Sequence, residues 1–198
     1  MEELTHCPST LAQGFSTYSP AALKKLFGKQ KVSHIIPYSP IENNEDDAKK
    51  FMNNRKRISL SGVQSKYSMI VHDGLLILTT EKEQGHYILK PKPEGISNPL
   101  ECAANENLTM QIAEQVFKIE TAANGLCFFQ NGEAAYLTRR FDISPTRSKF
   151  RKEDFASLAG LTSDNAGPNY KYDKCSYEEV AELIKRYFVS VSAIPSCP

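Results

Sequence analysis

Three groups of polar side chains in this sequence stand where they could hold a phosphate. The first is Ser61-Gly62-Val63-Gln64-Ser65-Lys66, a small polar stretch between the runs Arg57–Leu60 and Tyr67–Val71. A tight loop between two strands can press backbone N–H groups against an anion, or it can be a plain surface turn. Its one glycine matches neither the Walker loop nor the dinucleotide fingerprint. The second is Lys90, which ends the apolar run Tyr87-Ile88-Leu89. An ammonium there either meets an anion or snorkels from a strand end. The third is Glu106, on a helical stretch further along, which reads as a partner for Lys90 or as a solvated carboxylate.

Taken in chain order, these are a phosphate loop, a strand lysine and a helix glutamate. A protein kinase uses that order to hold its lysine on the nucleotide phosphates. The combination predicts a nucleotide-binding lobe more strongly than any one of the three does.

The elements that must position them follow from local pattern. Ser19-Pro20 opens a helix that Gly28 ends. Residues 42–54 carry acids early and bases late, which complements a helix dipole. From 58 to 90 the pattern is that of strands, with His72-Asp73-Gly74 as a hairpin turn between Tyr67–Val71 and Leu75–Leu78. His86–Lys90 is a further strand, closed by Pro91 and Pro93. Asn98 and Pro99 start a helix on which Ala104, Leu108, Ile112 and Val116 recur at i+4 spacing, so that face is expected to pack on the sheet. Leu126–Gln130 and Ala134–Phe141 form a second hairpin around Asn131-Gly132. Lys152–Ala159 is a short helix, residues 161–174 are irregular, and Ser176 caps a last helix to about Tyr187. Strands, a helix, strands and then helices give an α+β fold with an antiparallel sheet.

Bulk properties narrow the alternatives. A chain of 198 residues suffices for one cored domain or two small lobes. Its net charge of +1 argues against a nucleic-acid binder driven by electrostatics, and Arg55-Lys56-Arg57 reads as a solvated helix end. Five scattered cysteines without a Cys-x-x-Cys pair or zinc-ligand spacing read as reduced thiols of a cytoplasmic protein. No apolar run is long enough for a membrane span, and the acidic start is not a signal peptide.

At the level of motifs the chain resembles the HipA-type bacterial toxin kinases, especially the compact HipT-like members. The residues that carry this are Ile58 to Lys66, Tyr87-Ile88-Leu89-Lys90-Pro91, Ala104-Asn105-Glu106-Asn107, Thr138-Arg139-Arg140-Phe141-Asp142 and Lys152-Glu153-Asp154-Phe155-Ala156. The five blocks fall in family order from about 58 to 185. Residues 15–40, with Tyr18-Ser19-Pro20 and Leu26-Phe27-Gly28, are more loosely similar to the start of the compact members. The resemblance implies a kinase-like N-lobe in which Ser61 to Lys66 covers the ATP phosphates, Lys90 binds them and Glu106 holds Lys90. It implies that Arg139, Arg140 and Phe141 lie at the hinge beside the adenine. It also places Ser59 and Ser61 where the family carries autophosphorylated serines, although Ser59 can equally be a strand hydroxyl.

The same resemblance implies ATP and Mg²⁺ as cofactors, a HipB-type DNA-binding antitoxin as partner, and a protein substrate such as an aminoacyl-tRNA synthetase. The family's Asn-Gly-Asp-Ala-His-type catalytic segment and later metal-binding Asp have no counterpart after Asp154; Asp164-Asn165 and Asp173 stand in the wrong context. The expected organisation is an N-terminal extension over 1–57, a kinase-like N-lobe over 58–142, an inter-lobe helical segment over 143–187 and an atypical, truncated-looking tail over 188–198. The expected function is the ATP-binding lobe of a toxin kinase, catalytically incomplete as this chain. The other reading is a non-catalytic module that binds or inhibits a toxin kinase or antitoxin.

Overall fold

In a strand, alternate side chains point to opposite faces, so one strand can serve a core and a site at once. The arrangement here uses that property. A computed structural model describes residues 3–56, 64–144 and 149–188. It divides into two units, residues 1–148 and 149–198.

The first unit is built on β1 (Tyr67–His72), β2 (Leu75–Leu78), β3 (Tyr87–Lys90), β4 (Asn124–Phe128) and β5 (Ala134–Arg139). Their order in the sheet is β2-β1-β3-β5-β4, with every pairing antiparallel. The register puts Met69 beside Leu78 and Tyr87, Leu89 beside Tyr67 and Leu137, and Ala135 beside Cys127. These side chains share one face, and nearly all of them are buried in a single core. Burial in that core pushes the Cys127 thiol up to about 12.

The N-terminal segment supplies the other side of this core. Helices α1 (Pro20–Phe27) and α2 (Glu45–Lys56) contribute Ala22, Leu26, Phe27 and Phe51, and the chain around them adds Cys7, Tyr18, Val32 and Ile36. Ser19 caps α1 by accepting from Ala22 N, with Pro20 in the first turn and Gly28 left-handed at φ 63°. Asn44 caps α2 by accepting from Asp46 N and Asp47 N, both at 3.0 Å. Asn54 then locks α2 to the sheet through Ser68 and Thr79, its amide serving both backbones.

The same segment covers the outer edge of β4. Leu126 N donates to Pro8 O at 2.7 Å, Phe128 N to His34 O at 2.8 Å, and Gln130 N to Tyr38 O at 3.0 Å. An edge satisfied in this way is no longer a template for another strand.

Helix α3 (Glu101–Gln111) continues into a π-turn (Ile112–Val116) and lies over β4 and β5. Here the sequence expectation is corrected. The face toward the sheet carries Ala103, Asn107 and Gln111, whereas Leu108 is 47% exposed, Ile112 is exposed and Val116 is 65% exposed. The reason lies in what the helix meets. The wrapped N-terminal strip presents carbonyl oxygens, and apolar side chains cannot satisfy them. Amides can: Gln111 Nε2 donates to Asn124 Oδ1 at 3.0 Å, Gln115 Nε2 to Thr10 O at 2.9 Å, and Asn107 Nδ2 reaches Pro8 O at 3.5 Å. The start of the helix also differs, because Asn98 makes a turn that accepts from Glu101 N and does not cap the helix with its side chain.

The second unit consists of short helices. They are α4 (Phe155–Leu158), α5 (Ser163–Ala166), α6 (Tyr170–Asp173) and α7 (Tyr177–Phe188). Residues 161–174, expected to be irregular, hold two of them, the first opened by a Thr162–Asn165 capping box. Asp154 caps α4, and Ser176 with Glu179 forms a capping box on α7. Among the described residues no helix is long and apolar enough to cross a membrane.

Two substitutions separate the core from the outward side of α3. Leu89→Ala, in the middle of the core, should cost about 2–5 kcal/mol in denaturant unfolding. Leu108→Ala should stay within about 0.5 kcal/mol, because its side chain does not face the sheet. Comparable losses at the two positions would contradict the orientation of α3.

Candidate functional site

The face of the sheet opposite the core is where Lys90 points. Lys90 lies beside Tyr136 and Ile88 beside Thr138 and Ser68 in the strand register, so these side chains share that face. With Ile70 and Ile88 only half-buried, the floor beside Lys90 is apolar and partly open. The Lys90 side chain is 20% exposed and forms an ion pair with Glu106 from α3. Its ammonium also sits over the Tyr136 ring, 5.1 Å from the centroid. Burial and the Glu106 carboxylate together push the Tyr136 phenol well above its ordinary value, so it stays neutral beneath the ammonium.

The end of the polar loop reaches the same place. Gln64 Nε2 donates to Pro91 O at 2.9 Å, next in the chain to Lys90. Ser65 and Lys66 lead from there into β1, whose Tyr67 pairs with Leu89. Ser59, Ser61, Gly62 and Val63 lie outside the described residues.

Arg139, Arg140 and Phe141 stand at the other end of β3. Arg139 is paired with Tyr87, which places it roughly 10 Å along the strand from Lys90 at about 3.3 Å per residue and on the opposite, core-side face of the sheet. Arg140 is engaged locally. Its Nε and Nη2 donate to the two oxygens of Asp142 at 2.9 and 2.7 Å, and its N–H donates to His86 O at 2.8 Å. Both side chains of this clamp are nearly buried. Arg139 and Arg140 line a cleft of about 730 Å³ with Phe27, Ile70, Tyr87 and Ile143. Neither Lys90 nor Gln64 to Lys66 lines it, and Phe141 is outside it and 72% exposed.

The structure thus brings together Gln64, Lys90 and Glu106 at one end of β3, and Arg139 and Arg140 at the other. Two further residues join this arrangement. Tyr136 is found only through the Lys90 register, which is not legible before strands are paired. Asp142 is signalled by its place two residues after Arg140, a spacing suited to a local bidentate pair. Among the described residues no group of three His, Cys, Asp or Glu side chains converges as metal ligands.

Comparison with known proteins now bears on this arrangement. The family described as HipA-like C-terminal domain matches residues 58–194. The chain belongs to this HipA-like family. The match starts at Ile58, takes in Lys90, Glu106 and Arg139 to Phe141, and runs past Tyr187. A relative from Haemophilus influenzae (strain ATCC 51907 / DSM 11121 / KW20 / Rd), named "Putative kinase", is 28% identical over 183 residues, covering 88% of this chain and 50% of its own. The chain therefore spans about half the length of this relative. The family and this relative support a kinase-like role of HipA type.

The Lys90–Glu106 pair gives a direct stability test. Glu106→Ala leaves a mostly buried ammonium without its carboxylate and should cost about 1–3 kcal/mol. The double variant Lys90→Met/Glu106→Leu should lose less than the two single changes summed, because it removes both charges. Strict additivity in denaturant melts would show that the pair is not coupled.

Proposed function

We propose that this chain forms the ATP-covering half of a HipA-type serine/threonine kinase. The observation that carries the reading is the Lys90–Glu106 pair between strand and helix, with Gln64 tied to Pro91 beside it. The Lys90 ammonium has three donors, and Glu106 holds it from the helix side. The half-buried Ile70 and Ile88 leave an apolar floor next to it. A nucleotide would lay its phosphates on Lys90, with Ser61 to Lys66 closing over them, and its base along the Ile88 and Thr138 side of the sheet toward the backbone after β5.

In this reading Lys90, held by Glu106, takes the ATP phosphates. Magnesium is different: no carboxylate cluster among the described residues is built for it. In the reaction of such kinases the metal neutralises charge on the transferred phosphate. Its ligands, and the base for the substrate hydroxyl, would come from the part of the full-length relatives that this chain does not span. Ser59 and Ser61 are the candidates for modification, since a phosphate there would put negative charge where the ATP phosphates must sit. A HipB-type DNA-binding antitoxin and a protein substrate such as an aminoacyl-tRNA synthetase are the partners this reading entails for the complete toxin kinase.

Incubation of the 198-residue chain with labelled ATP and Mg²⁺ tests the proposal. Weak binding is expected, reduced about tenfold or more in Lys90→Ala, which removes a charge-assisted contact. No label should transfer to protein. Incorporation at Ser59 or Ser61 that disappears in Lys90→Ala would overturn the half-site reading. Binding that Lys90→Ala leaves unchanged would overturn the role of Lys90.

A further inference from the structure

Helix α1 ends in a Schellman turn, in which Lys29 N donates to Leu23 O at 3.1 Å and Gly28 N to Lys24 O at 3.2 Å. Such a turn frequently packs an apolar side chain, from the place Lys29 holds, against the residue in the place of Leu23. Here that side chain is a lysine, on a backbone held left-handed at φ 75°. The turn gives Leu23 no apolar cover, and Leu23 is only half-buried. A groove of about 500 Å³ lies there, lined by Pro20, Ala21 and Leu23 and by Lys24, Lys29 and Lys31.

The three lysines are exposed, and among the described residues none has an ion-pair partner. Lys25 is different, because Glu114 answers it. From Leu4 to Ile41 the chain has no Asp or Glu, and the turn beside Lys31 carries Asp73, which lies 3.1 Å from His72 Nδ1. A protein of net charge +1 thus gathers unanswered positive charge around one apolar groove. The groove lies ahead of residues 58–194, which match the family, and the nucleotide reading uses none of its residues.

We propose that this groove takes an acidic segment of a partner protein, with an apolar side chain seated on Ala21 and Leu23 and carboxylates meeting Lys24, Lys29 and Lys31. Charge selects an anion, and the lining selects which kind. Single-stranded nucleic acid stacks its bases on aromatic or guanidinium planes. Neither lines the groove, and the chain has no arginine before Arg55. A lipid surface is entered by protruding apolar side chains, whereas the apolar lining here is recessed between charges. Exposed ion pairs alone contribute little, so the apolar seat supplies the rest of the affinity.

Fluorescence anisotropy at low salt, without nucleotide, tests this with a labelled peptide of leucines set between pairs of glutamates. The peptide should bind. Lys24→Glu/Lys29→Glu should weaken binding about tenfold or more, and so should Ala21→Glu, which sets a carboxylate of the chain itself in the groove. All three positions are exposed, so circular dichroism should show folding retained. Lys49→Glu/Lys152→Glu, the same change of charge at exposed positions elsewhere, should weaken binding less than about threefold. A peptide with serine in place of leucine should bind about fivefold more weakly or worse. Absence of binding overturns the proposal, as does equal loss in the two double variants or equal binding of the serine peptide. Tighter capture of single-stranded DNA or of phosphatidylserine vesicles through the same lysines overturns it too.

Discussion

A largely buried ammonium on the face of a sheet opposite its core is held in place only if a nearby group answers its charge. Lys90 is in that position, and most of the first unit can be read as what its placement requires. β3 must be central, so that its core face is packed through Tyr87 and Leu89 while the other face stays partly open. A helix must then bring a carboxylate to that open face, and it must be held firmly enough for Glu106 to stay within reach.

The helix is held by polar contacts where a purely apolar seam would be the usual solution. Wrapping the first residues of the chain around β4 covers an edge strand, and it also sets a row of peptide carbonyls under α3. Asn107 and Gln115 meet that row, and Gln111 donates to the Asn124 side chain on β4 beside it. Gly125 takes part as well, because a Cβ there would stand 2.8 Å from the Cβ of Ser9 and push the strip away. Amide contacts fix direction as well as distance, which suits a helix whose task is to aim one carboxylate.

Much of this was legible in the sequence. The hairpins at His72-Asp73-Gly74 and Asn131-Gly132 carry turn residues whose backbone preferences leave few alternatives, and both stand where they were expected. Lys90 and Glu106 were readable as a pair because one ends a strand and the other sits early on the next helix. The α5 and α6 helices were missed because they are single turns with almost no apolar periodicity to detect. Tyr136 was missed because strand pairing across sequence decides what lies under Lys90.

The misplaced face of α3 has a more general cause. Apolar residues at i+4 spacing report that one side of a helix avoids water, and they do not say what covers that side. In this chain the sheet and the wrapped N-terminal strip take the amide face, so the ridge is left outward. The two faces are mechanically joined because they are one helix: whatever seats against Leu108 and Ile112 bears on the turn that carries Glu106. In kinases the position of this helix decides whether the lysine–glutamate pair forms. A contact on the ridge would therefore reach Lys90 through a single rigid element, with no chain of intermediate residues needed to carry it.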